Sequence, residues 1–149
     1  MASVLGIVLM AGPASAAERK CAGNASYNVC LTIIPLGNRT FRVVLGIDYR
    51  IGLQAAQTII NAPGDPYFAR IMGDDDVPDL TLFWVPLTGL GASAEAGLSA
   101  DFERVVPGSW LDEDDLLGNR DEVYGRITFV DPRNNKSRTF ETPNIYDEF

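Results

Sequence analysis

The sequence contains no histidine. That absence removes Ser-His-Asp and Cys-His nucleophiles, histidine-held zinc, haem with a proximal histidine, and acid–base catalysis by imidazole. Basic residues are scarce too: 12 Lys and Arg stand against 20 Asp and Glu, for a net charge of −8. Nucleic acids and anionic lipids are bound by Lys and Arg neutralising phosphate, so this balance argues against both as partners. Long apolar runs are missing. The run Val4–Met10 is far shorter than the about 20 residues that a membrane span requires. No G-x-S-x-G, P-loop, G-x-G-x-x-G or H-E-x-x-H motif occurs. What is present is a chain 46% apolar and only 21% charged, the composition of a folded domain. Its 149 residues suit a single one.

Residues 1–16 (MASVLGIVLMAGPASA) carry no charge. The apolar run Val4–Met10, the breaker Gly12-Pro13 and the small residues Ala14-Ser15-Ala16 form the back half of a secretory signal. We therefore expect a signal remnant at 1–16, cleavage after Ala16, and one domain over 17–149, secreted and extracellular. Export also explains the two cysteines. Cys21 and Cys30 form an even set for an oxidising compartment, and C-x8-C fits neither a redox C-x-x-C nor a zinc knuckle. They are expected to form a structural disulfide with Cα atoms about 4.4–6.8 Å apart, stabilising the fold by roughly 2–3 kcal/mol.

Strand signals recur along the chain. Tyr27–Pro35 is β-branched and aromatic and ends in the turn Leu36-Gly37-Asn38; Phe41–Tyr49 alternates apolar and polar. Together they predict an antiparallel hairpin with one buried face. Gly52–Asn61 changes period, with Leu53, Ala56, Ile59 and Ile60 at helical spacing, and predicts one short helix. Tyr67–Met72 predicts a strand. Leu80–Leu87 is apolar on both faces and predicts a central strand with Pro86 at its end. Gly89–Ser99 is small and flexible and reads as a long loop. Asp101–Val106, Val123–Val130 and Arg138–Thr142 predict three further strands. About seven short strands, regular turns and no βαβ alternation favour a mainly β fold: a single antiparallel β-sandwich, with a small β-barrel as the alternative.

The acids are concentrated. Asp112, Glu113, Asp114, Asp115, Asp121 and Glu122 lie within one stretch, and Asp74, Asp75, Asp76 and Asp79 within another. Both fall between strands. Grouped carboxylates repel one another, and a divalent cation relieves that repulsion. Calcium suits such a loop because it takes six to eight oxygens in flexible geometry. An EF-hand is excluded, since a loop starting at Asp112 puts Leu117 where glycine is required and Val123 where the bidentate glutamate is required. The stretch Trp110-Leu-Asp112-Glu-Asp114-Asp115-Leu-Leu-Gly118-Asn-Arg-Asp121-Glu122-Val-Tyr-Gly125 resembles the third calcium loop of C2 domains. Those are antiparallel sandwiches that bind calcium at one end, often to engage phospholipid. The resemblance implies Asp112, Asp114 and Asp121 as metal ligands, with Asp74, Asp76 and Glu122 in a second tier, and calcium as cofactor. The rest of the chain resembles small secreted proteins of actinobacteria, which implies no activity. Acidic loops also serve simply as solvated surface that keeps exported proteins soluble.

Three function classes follow. The first is a secreted, non-catalytic binding protein, calcium-dependent through its acidic loops, for an extracellular protein or glycan. The second is a secreted inhibitor or protein-interaction domain working through its loops without metal. The third is a carboxylate-based hydrolase; two acids suffice for glycoside cleavage, yet with 20 acids some pair is always at hand and no residue is assigned as catalytic. Among the aromatics, Trp84 between Phe83 and Val85 reads as core. Trp110, at a loop entrance, is the candidate binding residue.

Overall fold

The computed structural model describes residues 16–74, 80–112 and 121–149. The expected secretion signal lies outside the described residues except for Ala16. The chain runs β1 (Glu18–Gly23), β2 (Tyr27–Gly37), β3 (Thr40–Tyr49), α1 (Leu53–Asn61), β4 (Tyr67–Gly73), β5 (Leu80–Val85), β6 (Leu87–Ser93), β7 (Gly97–Pro107), a 3-10 turn (Gly108–Trp110), β8 (Asp121–Val130), β9 (Ser137–Glu141) and β10 (Ile145–Asp147). All pairings are antiparallel. One sheet has the order β1-β2-β3-β7-β6; the other has β10-β8-β4-β5, with β9 also on β8. The architecture is the expected β-sandwich, without barrel closure. The described residues hold ten strands rather than about seven, because β1, β6 and β10 are added. No helix among the described residues is long and apolar enough to cross a membrane.

Alternation builds the core. Val29, Leu31 and Ile33 of β2 face inward beside Val43, Leu45 and Ile47 of β3 and Leu98, Ala100 and Phe102 of β7. Opposite them lie Tyr67, Ala69 and Ile71 of β4, Phe83 and Val85 of β5, and Val123, Ile127 and Phe129 of β8. The sheets approach closely at Gly125, where a Cβ would come within 2.2 Å of Leu45 Cδ2. One buried polar bond joins the layers: the Tyr67 hydroxyl donates to the Leu98 carbonyl at 3.0 Å. Burial pushes that phenol far above its ordinary pKa, so it remains a donor. Helix α1 starts one residue later than expected, with Gly52 as its N-cap, and buries Ala56 and Ile59.

Two expectations fail. Gly89–Ser99 is not a loop: β6 pairs with β7 through a turn at residues 94–96. At Gly89 a Cβ would sit 3.3 Å from Asp101 Oδ2, whereas Gly91 has open space around it. Leu80–Leu87 is not a central strand either. β5 is the last strand of its sheet, and Leu80 and Trp84 are exposed. Its second apolar face is a surface, which residue type alone does not reveal.

The disulfide forms as expected between directly opposed residues of β1 and β2. Its Cα separation of 4.1 Å falls just under the anticipated range, as close cross-strand pairing requires. β9 and β10 continue one another along β8. They are interrupted at Thr142-Pro143, where the Thr142 hydroxyl accepts the Gly125 N–H at 2.8 Å. The β8–β9 turn is tied by Asp131, whose carboxylate accepts from the Arg133 backbone and guanidinium at 2.8–3.2 Å. The guanidinium holds that carboxyl below its usual pKa.

Candidate functional site

Asp74, Asp121 and Glu122 lie at one end of the sandwich. β4 leaves the sheet there as β8 enters it: the Asp74 N–H donates to the Glu122 carbonyl at 2.8 Å, and Gly73 pairs with Val123. The Asp74 carboxylate accepts from the Asn144 side chain. Asp121 opens β8 opposite Asp147 of β10, shares the inward parity of Val123, and is only 4% exposed. Asp112 follows the 3-10 turn, and its N–H donates to the Gly108 carbonyl at 3.1 Å. The fold thus brings Asp74, Asp121 and Glu122 to the same end. Asp114 and Asp76 lie outside the described residues. Among the described residues, no three Asp, Glu or Cys group together to hold a metal ion.

A second feature lies along one side of the sandwich. β6 pairs with β7 only up to Phe102, and among the described residues β7 beyond that point pairs only with β3. Among the described residues, β5 has a strand neighbour only in β4. Two sheet edges therefore face each other across a corner formed by Pro86, whose carbonyl accepts the Glu103 N–H at 3.2 Å. Arg104 spans this gap. Its Nη1 donates to the Trp84 carbonyl at 2.9 Å, and its Cζ lies 4.8 Å from the Trp110 ring centroid. Trp110 leans on Phe83 at 5.7 Å between centroids, and the Arg70 guanidinium lies 5.4 Å from the Trp84 ring.

Both tryptophans are exposed, Trp84 by 55% and Trp110 by 42%. They are the only two in the chain. Two clefts of about 560 and 540 Å³ meet at Trp84 and Arg104. The first runs over Phe68, Pro86 and Leu87 to Asp65. The second runs over Leu80 and Leu82 to Trp110 and Asp112. The side is therefore an aromatic and aliphatic strip with guanidinium groups at its centre and one carboxylate in each cleft.

Trp110, the expected binding residue, is exposed and lines the second cleft. Trp84 corrects the reading of it as core: Phe83 and Val85 take the inward parity, which turns Trp84 to solvent. Sequence reasoning missed Arg104, which has the inward parity of Phe102 and Val106 on β7. A base on the buried face of an alternating strand was the available signal. Tyr124 and Phe129 on β8 are both buried. Comparison of the chain with protein families, curated proteins and solved structures finds no match.

Proposed function

We propose that the protein is a secreted, non-catalytic binding module that takes an extracellular glycan along the Trp84–Arg104–Trp110 side. The observation that carries this reading is the placement of both tryptophans, exposed, on one side of the sandwich bridged by Arg104. Indole faces offer flat apolar area to the C–H faces of sugar rings, at little cost in conformational freedom. Guanidinium and carboxylate groups serve the hydroxyls that surround such faces. Exposed apolar area of this kind on a small domain marks an interaction site. Asp65 and Asp112 line different clefts, which favours binding over two-carboxylate hydrolysis. The disulfide accords with an oxidising, extracellular setting.

Because Trp84 and Trp110 are the only tryptophans, intrinsic tryptophan emission reports on this site alone. Titration with a panel of neutral and uronic-acid oligosaccharides should shift that emission to the blue for at least one member, and Trp110→Ala should weaken the same binding at least tenfold. Emission unmoved by every member of the panel would reject the glycan reading.

Calcium is a second reading. It is supported by the bond from Asp74 to the Glu122 carbonyl, which joins the ends of two acidic stretches. Binding to the native state would add about 2.7 kcal/mol at a hundredfold excess over Kd. The melting temperature should then rise with millimolar calcium, fall with chelator, and lose that response in Asp114→Asn. A melting temperature indifferent to calcium leaves the acids as a solvated end.

A further inference from the structure

We propose that the Cys21–Cys30 disulfide is a thiol–disulfide exchange site for small thiols, attacked at Cys21 and releasing Cys30. The two sulfurs differ in setting. Cys21 is exposed on β1, which pairs with β2 alone and forms the outer edge of its sheet. Cys30 is 7% exposed on β2, between two strands. A nucleophile approaches a disulfide in line with the S–S bond, so it reaches Cys21 from the solvent side of the edge strand.

The hydrogen-bond donors match this direction. Arg19 Nη2 lies 3.5 Å from Cys30 Sγ, and Asn28 Nδ2 lies 3.5 Å from the same atom. Arg19 Nε lies 3.5 Å from Cys21 Sγ. Arg19 and Cys21 alternate onto one face of β1, as Asn28 and Cys30 do on β2, so the pattern is set by strand parity. Gly46 stands opposite Cys30 on its other side and adds no side chain over the sulfur. Two donors, one a fixed cation that also reaches Cys21, meet the sulfur that must carry charge when the bond opens, in a cleft that Asp48 and Asp101 also line. A nearby guanidinium stabilises thiolate, and a better leaving thiolate speeds exchange.

The step balances without an oxidant. An incoming thiolate forms a bond to Cys21 Sγ, the Sγ–Sγ bond breaks, and its electron pair leaves on Cys30 as thiolate. In the reverse step Cys30 attacks Cys21 and expels the small thiol. With the bond closed, β1 holds six backbone pairings with β2.

The test treats the native protein with 2-mercaptoethanol, quenches with acid, alkylates in denaturant and maps the peptides. The mixed disulfide should lie on Cys21 and the alkyl group on Cys30, by at least ten to one. Arg19→Gln should slow the exchange about tenfold while the oxidised protein melts at an unchanged temperature. An adduct on Cys30, an even mixture, an Arg19→Gln rate equal to wild type, or exchange only where the chain unfolds would each overturn the proposal.

Discussion

β5 and β7 fold opposite to their sequences. Residues 80–85 (LTLFWV) carry no charge, whereas residues 101–106 (DFERVV) carry three. Yet among the described residues β7 lies between β3 and β6 as far as Phe102, with Glu103 and Arg104 just beyond on the part paired to β3 alone, whereas β5 ends its sheet along its whole length. The charges on β7 are tolerated because parity directs Asp101 and Glu103 to the outer face, where Arg42 pairs with Glu103 at 2.9 Å. Phe102, between them in sequence, is fully buried. On β5 the same alternation buries Phe83 and Val85 and leaves Trp84 outside. A strand's rank within a sheet depends on what pairs along its two edges. Side-chain polarity speaks only for its two faces.

The largest effect should come from β7. Phe102→Ala removes a fully buried ring that packs edge-on to Tyr67, with centroids 6.3 Å apart. It should cost about 3–5 kcal/mol, as large-to-small core changes do. Urea denaturation followed by far-UV circular dichroism measures this. A cost below about 1 kcal/mol would mean that the centre of the first sheet has been misplaced.

Next comes the one β7 side chain that reaches β5. Arg104→Ala deletes the bond to the Trp84 carbonyl and the stacking on Trp110. A neutral acceptor bond contributes about 0.5–1.5 kcal/mol net, and an exposed cation–π contact about 0.5–1 kcal/mol. The expected loss is therefore about 1–2.5 kcal/mol, with Trp110 emission altered. Arg104→Lys should recover little of it, since an ammonium lacks the planar fork that serves both partners at once. Full recovery by lysine would show that charge alone closes this side.

How much could be read beforehand follows from the same logic. The β2–β3 hairpin was legible because its alternation and its turn agree: Gly37, Asn38 and Arg39 all adopt positive φ, at 90°, 52° and 56°. The helix was legible because Ala56 and Ile59 recur at helical spacing. β6 was hidden because Gly89 and Gly91 lack the β-branched signal, and their strand character comes from pairing with β7. β10 was hidden because it is three residues long and follows Pro143. At the site, Trp110 was visible from its place at a loop entrance. Trp84 and Arg104 were not, because their roles depend on which edges stay unpaired, and that is decided by strands distant in sequence. Of the expected ligands, Asp74 and Asp121 share an end through pairing of β4 with β8, a long-range contact that spacing alone does not fix.

The smallest effect on stability should belong to Trp84. Its indole lies on the outer face of β5, more than half exposed, and its one ring contact is the Arg70 guanidinium at 5.4 Å. Trp84→Thr forfeits that exposed cation–π contact, about 0.5–1 kcal/mol. It gains from threonine's suitability for a half-exposed strand position, an effect of similar size. The bond from Arg104 is to the backbone carbonyl and survives the substitution. The net change should therefore stay within about 0.5 kcal/mol, as for most surface substitutions. Phe102→Ala and Trp84→Thr would then form a pair: a charged strand whose aromatic holds the fold, and an apolar strand whose aromatic does not. If the glycan reading holds, Trp84→Thr also loses the binding while melting like wild type, because the indole serves the ligand rather than the core. A Trp84→Thr variant destabilised by 3 kcal/mol or more would place that ring with the core residues, and the exposed strip would lose its claim to be a binding surface.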